Sequence, residues 1–557
     1  MLLSLLNNPK YYFFILIFSS IMYPNGQSIM SFQQKYAEGK GDSRNYFENL
    51  LDFNYFFDND LYLFAQFEYS DPPLLGLKTK EFNDVNNIFY LQYSNSKYDF
   101  TIGNLYLLHG SGLSLHTYED QDVDFDNSIS GLDFLYHLND KIDLFTVIGS
   151  SNIKSRVDIN EIGHDVSINN DVVSLGGKLN LNRISAHYLS LMYNQNYSNE
   201  DIESMKSMSN LLGLYLSSIN SDKNEYSMVN IDHNYGLHFY FDLIDIYMEQ
   251  SLVFHDLIFG ERVDGYRNYF STTFNLFDYN IIYEYKDYFT PYLYNVFSAP
   301  PVVFRESTSI LSSRNLHTID FSNEYGYQFE FNKSYNNGMN LLGTYAYASH
   351  HKRAQNNSES NGFYSDIVLD NQFPYKQWYI EVSANSKSLK SYYRIGYDYY
   401  NEKTVEKNKY VTAHTIPMQY VYNFTGGNSL TFYLEMQNKL SEIEILGENE
   451  VLYKGEIEKK YYYLSPTYSH FGHWTISLFL DFENDYIVPS SINNNLIFID
   501  NKGENWYAVD FTKTLKNNAQ LSIFYGSQKG GLICANGTCV PQPDFEDGIK
   551  LTLRMNF

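Results

Sequence analysis

Carboxylates at alternate positions form the densest group of potential metal ligands in the chain. The segment reads Glu119-Asp120-Gln121-Asp122-Val123-Asp124-Phe125-Asp126-Asn127. Oxygens spaced in this way can surround Ca²⁺, but an EF-hand loop requires Gly at its sixth position and Glu at its twelfth. Counted from Asp122, those positions hold Asn127 and Asp133. The pattern therefore favours a solvated acidic loop over a calcium site in residues 119–126.

The two cysteines of the chain, Cys534 and Cys539, flank an Asn536-Gly537 turn. In an exported protein, we expect them to form a disulfide that closes this small loop. Two cysteines alone make a poor zinc site, because structural zinc usually has four ligands and no histidine lies nearby. We predict a structural role for the pair, and neither a metal nor a cofactor.

Signatures of catalysis are weak throughout the chain. There is no GxSxG, HExxH or Walker sequence. The segment His470-Phe471-Gly472-His473 lies at a predicted tight turn, which favours a surface turn over a metal site. Trios of Ser, His and Asn can be chosen by chance in so polar a chain, so we name no catalytic residue and predict no enzyme activity.

The last residues of the chain indicate the architecture that positions these groups. The odd-numbered residues from Ile549 to Phe557 are apolar, and the even-numbered ones from Lys550 to Asn556 are polar. Such alternation places the two sets on opposite faces of one strand. In a soluble sheet this strand would be an exposed apolar edge, so we expect it to pair with the first strand and close a barrel that contacts lipid. Phe557 resembles the terminal signal that the outer-membrane assembly machinery of Gram-negative bacteria recognises.

The amino terminus predicts export. Lys10 precedes an apolar run, Tyr11–Phe18, that fades by Pro24 and is too short for a helical span, which needs about 20 residues. We predict a signal peptide over residues 1–28, cleaved near Ser28, and a single barrel domain over residues 29–557. A buried helix of a cytosolic domain is the alternative, and the break at Pro24-Asn25-Gly26 counts against it.

Composition agrees with a barrel in a membrane. The chain has 55 Tyr and 41 Phe but 3 Trp, and its mean hydropathy is −0.38. A polar average with so many aromatic residues is typical of strands that have one lipid face, one wet face and aromatic girdles. The formal net charge of −26 argues against nucleic acid as a partner, because phosphate binding requires a basic surface.

Alternating segments follow one another along the whole chain. Examples are Leu61–Tyr69, Ser209–Leu216, Leu237–Tyr247, Tyr392–Tyr400 and Leu521–Tyr525. Tight turn signals alternate with longer polar stretches, at residues 109–130, 152–170, 290–315, 351–375, 440–458 and 529–547. This pattern predicts an all-β fold, a large antiparallel up-and-down transmembrane β-barrel of about 20–24 strands.

The same alternation assigns charged side chains to the inner face. In Glu324–Phe331 the rings face lipid, while the polar residues between them face inward. A base on the lipid face at mid-bilayer depth costs about 2–4 kcal/mol, so charged residues should face the lumen. The lumen-facing candidates are Glu324, Gln328, Glu330, Arg394, Asp398, Glu435, Asp481 and Glu483. Hydration and ion pairing of an inner wall are favoured as their role, and a cation-selective surface is the alternative.

Three parts of the chain carry short motifs: Tyr525–Cys539 with Pro543, Gly103–Tyr106 with Gly110–Leu113, and Pro300-Pro301 with Ser313–His317 and Glu324–Gln328. Together they resemble an uncharacterised family of Bacteroidetes-type outer-membrane proteins. The resemblance spans most of the mature chain and implies a large β-barrel, but no activity and no functional residues. A separate plug domain of the TonB-dependent type is not expected, because the segment from Ser28 to Arg44 is too short.

Two functions remain open. The first is a channel or transport pore in the bacterial outer membrane, which passes small hydrophilic solutes through an acidic lumen. The second is a barrel plugged by its own loops or by a partner, which serves as a scaffold for cell-surface or secretion machinery. Residues 109–130 and 290–315 could fold inward, and Phe297–Phe304 favours a constriction or a contact surface. Expected partners are outer-membrane lipid, lipopolysaccharide and the barrel assembly machinery.

Overall fold

The protein is described by a computed structural model that covers residues 26–557. Within that range it leaves out residues 42, 44, 58–59, 72–87, 122–124, 157–164, 199–224, 257–261, 277, 291–296, 306, 308, 315–316, 318, 352–371, 405–408, 447–450, 493–494, 517–518, 536–537 and 543. The predicted signal peptide and the predicted strand Ser209–Leu216 therefore lie outside the described residues, apart from residues 26–28.

Strands dominate the described residues. The strands of the main sheet are β1 (Gln27–Lys40), β2 (Tyr46–Phe56), β3 (Leu61–Asp71), β4 (Ile88–Ser94), β5 (Tyr98–Leu105), β8 (Ile129–Asn139), β9 (Ile142–Arg156), β10 (Asp165–Leu181), β11 (Ile184–Ser198), β12 (Glu225–Tyr240), β13 (Ile244–Asp256), β14 (Arg262–Leu276), β15 (Tyr279–Phe289), β16 (Asn323–Ser334), β17 (Met339–His350), β18 (Gln372–Asn385), β19 (Ser391–Thr404), β20 (Lys409–Asn423), β21 (Ser429–Leu446), β22 (Val451–His470), β23 (Trp474–Glu483), β26 (Asn505–Thr514), β27 (Gln520–Gln528) and β30 (Phe545–Asn556).

Among the described residues, three small hairpins and one short helix lie in the connections. The hairpins are β6 (Glu119–Asp120) with β7 (Phe125–Asp126), β24 (Tyr486–Ile492) with β25 (Asn495–Asn501), and β28 (Gly531–Ala535) with β29 (Thr538–Gln542). The helix, α1, spans Ile310–Ser313. No helix among the described residues is long and apolar enough to cross a membrane.

The main sheet is a closed barrel. It contains 24 strands, and each strand pairs antiparallel with its neighbours in chain order. Strand β1 pairs with β2 on one side and with β30 on the other, so the first and last strands join. Two backbone hydrogen bonds between Met30 and Phe557, with N···O distances of 2.8 and 3.2 Å, complete this seam. The predicted fold is confirmed, and the strand number lies at the upper end of the predicted range.

The two faces of the barrel wall differ in polarity. On β19, Ile395 is 49% exposed on the outside, whereas Asp398 on the other face is 2% exposed. On β23, Leu478 is 45% exposed and Asp481 is 4% exposed. An apolar outside with polar groups buried inside is the reverse of a soluble sheet and is typical of a barrel surrounded by lipid.

The two ends of the barrel also differ. At one end, which we call the turn end, the strands are joined by short connections such as 140–141, 182–183 and 471–473. Strand β1 begins and strand β30 ends at this end. At the other, the loop end, the connections include 106–128, 290–322, 484–504 and 529–544. The prediction of a long loop over 440–458 is wrong, because β21 and β22 continue through it with pairs such as Glu444 and Lys454. There Glu442, Glu444, Lys454, Glu456 and Glu458 share the face that carries Leu434 and Met436 nearer the turn end, so the pattern of apolar residues on that face ends.

The apolar core lies inside the barrel, between the wall and two of the loops. Leu115 and Phe297, from two different loops, belong to one buried cluster with Val147 and Leu189 of the wall. Such a core is possible because a barrel of this size leaves an interior that wall side chains alone do not fill.

Candidate functional site

The first interior loop, residues 106–128, binds to the wall through Glu249 of β13. The Ser111 N–H donates to Glu249 Oε2 at 2.6 Å, and Asn234 Nδ2 donates to Oε1 at 2.7 Å. Gly110 has φ +60°, and a Cβ there would lie 2.5 Å from Glu249 Oε1. Only glycine therefore allows this backbone to approach the carboxylate so closely.

A buried arginine holds the same loop further along. Arg267 of β14 is 1% exposed. Its Nη1 donates to the Leu113 carbonyl at 2.8 Å and contacts Asp232 Oδ2 at 3.3 Å. Ser114 Oγ lies 2.7 Å from Ser251 Oγ. Because buried charges require partners, these contacts fix the loop against β12–β14 rather than leaving it in solvent.

The second interior loop, residues 290–322, begins against β15. Lys286 Nζ donates to the Val302 carbonyl at 2.6 Å, and Tyr288 Oη donates to the Pro301 carbonyl at 2.9 Å. Lys286 also forms an ion pair with Glu324 of β16, and both side chains are 0% exposed. Removing one partner of such a pair would leave an uncompensated buried charge.

His317 of this loop lies between two carboxylates. Its Nδ1 is 2.6 Å from Glu402 Oε1, and its Nε2 is 3.1 Å from Glu324 Oε2. The ring also stacks on Tyr375 at 4.2 Å. Burial alone would lower the pKa of His317, but the two carboxylates outweigh burial and raise it to about 9. Both ring nitrogens therefore donate, and the imidazolium is a third charge in the Lys286–Glu324 network.

Helix α1 is capped from across the interior. The first backbone N–H groups of a helix have no partner within it. Here Ile310 N and Leu311 N donate to the two oxygens of Glu435 on β21, at 2.7 and 2.6 Å. Gln437 Nε2 donates to the Leu311 carbonyl at 2.9 Å. The wall residue Glu435 thus replaces the missing side-chain cap of the helix.

The second interior loop reaches opposite sides of the barrel. Phe297 meets Tyr193 of β11 edge-to-face at 5.3 Å. Arg314 Nη2 contacts Asp481 Oδ2 of β23 at 2.5 Å. Equal numbers of wall strands separate β11 from β23 in the two directions around the barrel. The loop is therefore a partition within the lumen, and it joins the first loop where the His116 N–H donates to the Phe297 carbonyl at 2.6 Å.

A third loop, residues 529–544, adds a contact near the loop end. Lys529 Nζ lies 2.6 Å from Glu483 Oε2 and 4.2 Å from the centre of the Trp506 ring. Lys459 of the wall contacts the other oxygen of Glu483 at 2.9 Å. This carboxylate is consequently neutralised by two lysines.

The residues predicted to face the lumen fall into three groups. Glu324, Glu435, Asp481 and Glu483 contact the interior loops or the third loop. Gln328 and Asp398 are buried, at 7% and 2% exposed. Glu330 and Arg394 are half-buried. The structure thus distributes these residues along a long arc of the wall rather than gathering them at one point.

Sequence reasoning missed several residues of the interior network. Lys286, Arg267, Glu249 and Asp232 occupy inner-face positions on β12–β15, and each is buried. Alternation of apolar and charged residues, which located the other candidates, could have found Lys286 in the Tyr283–Tyr288 segment. The contacts with distant loops have no local signal in the sequence.

The acidic segment 119–126 is partly inside the fold. Glu119 and Asp126 are half-buried in the β6–β7 hairpin, and burial raises the pKa of both carboxyls. The Ser128 N–H donates to Asp126 Oδ1 at 2.7 Å. Asp122 and Asp124 lie outside the described residues. Among the residues that are described, no group of three or more possible ligands could hold a metal ion. The predicted solvated acidic loop is thus partly buried at Glu119 and Asp126.

The two cysteines lie directly opposite each other. Cys534 of β28 and Cys539 of β29 are register partners in an antiparallel hairpin. The disulfide itself stays a prediction.

Fold and site together define a closed β-barrel with a polar wall and a lumen divided by its own loops. The chain belongs to a family of unknown function, DUF6029, which matches residues 10–557. The resemblance to an uncharacterised family is thereby confirmed, whereas the Bacteroidetes origin stays a prediction. No curated protein matches the chain in sequence.

Some solved structures resemble the chain in overall form at low sequence identity. The FrpB iron transporter from Neisseria meningitidis (F5-1 variant) is 8% identical, with a TM-score of 0.47 over 95% of this chain and 81% of that one. The copper transporter OprC is 9% identical, with a TM-score of 0.43 over 96% and 81%. Pseudomonas aeruginosa OccK3 is 12% identical, with a TM-score of 0.38 over 76% and 98%. Similarity at this level concerns the barrel architecture alone.

Proposed function

We propose that this protein is a bacterial outer-membrane β-barrel that transports small hydrophilic solutes through a lumen restricted by its two interior loops. The observation that carries the proposal is the closed sheet of 24 strands with an apolar outside and a charged inside. In such a wall the backbone N–H and C=O groups of each strand are paired with neighbouring strands, so none is left without a partner in lipid, and the wall encloses a space wide enough for water. The signal peptide over residues 1–28 and the terminal Phe557 would serve export and assembly.

Charge selectivity of this pore is expected to be weak. Glu435, Asp481 and Glu483 were candidates for a cation-selective wall, but each is neutralised or hydrogen-bonded by loop groups. A carboxylate that accepts hydrogen bonds from a docked loop offers little attraction to a passing ion. Glu330 is the predicted acidic residue that remains half-buried on the wall.

A plugged scaffold is the second candidate. It is favoured by the partition that the second interior loop makes between β11 and β23, with buried charge contacts at several points. Such a barrel would present its loop end to a protein partner and conduct nothing.

Conductance distinguishes the two candidates. The purified protein would be reconstituted in liposomes and planar bilayers, and compared with a variant in which residues 297–314 are replaced by a short Gly-Ser linker. If the protein transports solutes, the natural chain should give small steps of single-channel conductance, and liposomes containing it should swell in solutions of small sugars. The variant should give larger conductance steps. If neither protein conducts, while both keep the heat-modifiable electrophoretic mobility of a folded barrel, transport is refuted and the scaffold is favoured.

A further inference from the structure

The interior loops cover the inner wall unevenly. On β12, behind the first interior loop, the inner-face residues Asn230 and Asp232 are 0% and 1% exposed. On β26, β27 and β30, the inner-face residues Asp510, Phe524 and Lys550 are only half-buried. Inner-face side chains that keep exposed surface border a part of the lumen that the loops do not fill. Solvent and solutes therefore have room along these three strands, which lie beside the seam between β1 and β30.

Three different side chains stand in one row across this open part of the wall. Asp510 of β26 is directly opposite Phe524 of β27, and Phe524 is directly opposite Lys550 of β30. Because neighbouring strands lie about 5 Å apart, the acidic and the basic position are about 10 Å apart, with the aromatic position between them. Lys550 Nζ lies 5.1 Å from the centre of the Phe524 ring. The row therefore presents a ring to the lumen with an acid on one side and a base on the other.

The aromatic surface of this row is incompletely covered. The Phe524 ring lies 6.1 Å from the Phe479 ring of β23 and 6.1 Å from the Phe545 ring, between ring centres. Phe479 and Phe524 are half-buried. Phe145 of β9, also on the inner face, is in contrast 7% exposed and packs in a cluster with Leu115 of the first interior loop. Aromatic surface left towards a wet lumen is unfavourable, and the apolar face of another molecule would be stabilised against it.

The two charged groups beside the ring have uncharged partners. Lys550 Nζ donates to Gln528 Oε1 at 2.9 Å. The carboxylate of Asp510 accepts from the hydroxyls of Thr512 and Ser522, at 2.9 and 2.7 Å. An ammonium group has three donors and a carboxylate has about four acceptor positions. Both groups therefore retain capacity to bind the hydroxyls of a solute in the lumen.

We propose that Asp510, Phe524 and Lys550 form a binding site for the ring of an uncharged sugar on the open side of the lumen. The site names the solute class of the proposed transport function and rests on that function for its meaning. A sugar ring has a face of C–H groups, which suits the aromatic ring, and a rim of hydroxyls, which can donate to the carboxylate and accept from the ammonium group. Because the flanking charges are of opposite sign, they favour a neutral solute over an ion of either sign.

Saturation-transfer NMR on the folded barrel in detergent tests this site. The probes are glucose and sorbitol, which have similar size and hydroxyl content, but sorbitol is an open chain without a ring face. We expect saturable transfer to glucose that exceeds transfer to sorbitol. Phe524→Leu, which keeps an apolar side chain, and Lys550→Met, which keeps the length of the side chain, should each weaken glucose binding by about two- to tenfold.

Phe432→Leu is the matched control. Phe432 is 43% exposed on the lipid face of β21, so its loss should leave glucose binding unchanged. Equal transfer to glucose and sorbitol in the natural chain, or unchanged glucose affinity in both Phe524→Leu and Lys550→Met, would overturn the proposal. The two substitutions lie on different strands, so either one keeps the test valid if the other fails to give a heat-modifiable barrel.

The failure of this site and the failure of transport are distinguishable. Glucose binding that Phe524→Leu weakens, without any glucose flux into liposomes, would refute transport and leave the site standing. Glucose flux that equals sorbitol flux and is unchanged in Phe524→Leu would refute the site and leave transport standing.

Discussion

Replacing Glu435 by alanine should release helix α1 from the barrel wall. This carboxylate is 0% exposed and accepts the backbone N–H groups of Ile310 and Leu311. The barrel itself should persist, because the backbone pairing of β21 with β20 and β22 does not involve the side chain. The second interior loop should therefore open locally while the wall stays folded.

The expected size of the effect follows from the two hydrogen bonds. A hydrogen bond to a charged group contributes about 1.5–3 kcal/mol, so two independent bonds would contribute about 3–6 kcal/mol. Both bonds end on one carboxylate, whose burial opposes them, so we expect the lower part of this range. An opening equilibrium shifted by about 3 kcal/mol corresponds to roughly a 10²-fold change.

Hydrogen exchange measured by mass spectrometry provides the assay, because the two amides that lose their acceptor are themselves the probes. We expect exchange in a peptide covering residues 309–314 to accelerate roughly 10²-fold in Glu435→Ala, and by less in Glu435→Gln, which keeps one acceptor oxygen. Glu458→Ala is the control, since Glu458 is 49% exposed and pairs with Lys460 at the surface. An acceleration below about threefold in Glu435→Ala would refute the capping role.

Three further outcomes are expected. The pKa of His317 is raised from 6.5 to about 9, so its contribution to loop docking is complete below pH 6.5 and is lost as the pH rises through about 9. Protection of the second interior loop from protease should therefore fall near pH 9. In His317→Gln this pH dependence should vanish. Intact-mass analysis of the protein from the native membrane should give a mass two hydrogen atoms lower than that of the chain with Cys534 and Cys539 as free thiols. The mass of the dithiol form would contradict the predicted disulfide. Deletion of Phe557 should lower the amount of heat-modifiable barrel in outer membranes, and unchanged assembly would exclude a terminal signal.

The barrel could be predicted from the sequence because its constraint is local and repeated. On β21, apolar residues at 430, 432, 434 and 436 alternate with polar ones at 431, 433, 435 and 437, and a strand has no other way to separate them. Burial follows this alternation, with Phe432 43% exposed and Glu435 fully buried. Beyond the apolar belt the outward positions of β21 and β22 carry charged residues such as Glu442 and Glu444, and for this reason the sequence predicts a loop over 440–458.

The interior could not be predicted in the same way. Glu435 and Ile310 are 125 positions apart in the chain, and no periodicity relates an inner wall position to the loop that covers it. Glu435 satisfies two rules at once, since it faces inward on a strand and accepts the first N–H groups of a helix. Only the first of these rules can be read from its neighbours in sequence.

The residues of the inner wall therefore have to be classified by what they contact rather than by their charge. A carboxylate such as Asp481, in contact with Arg314 at 2.5 Å, has its charge compensated by the loop that it holds. An acidic chain, with a formal net charge of −26, can in this way hold loops inside its lumen, because its inner carboxylates accept hydrogen bonds from loop groups or pair with loop cations.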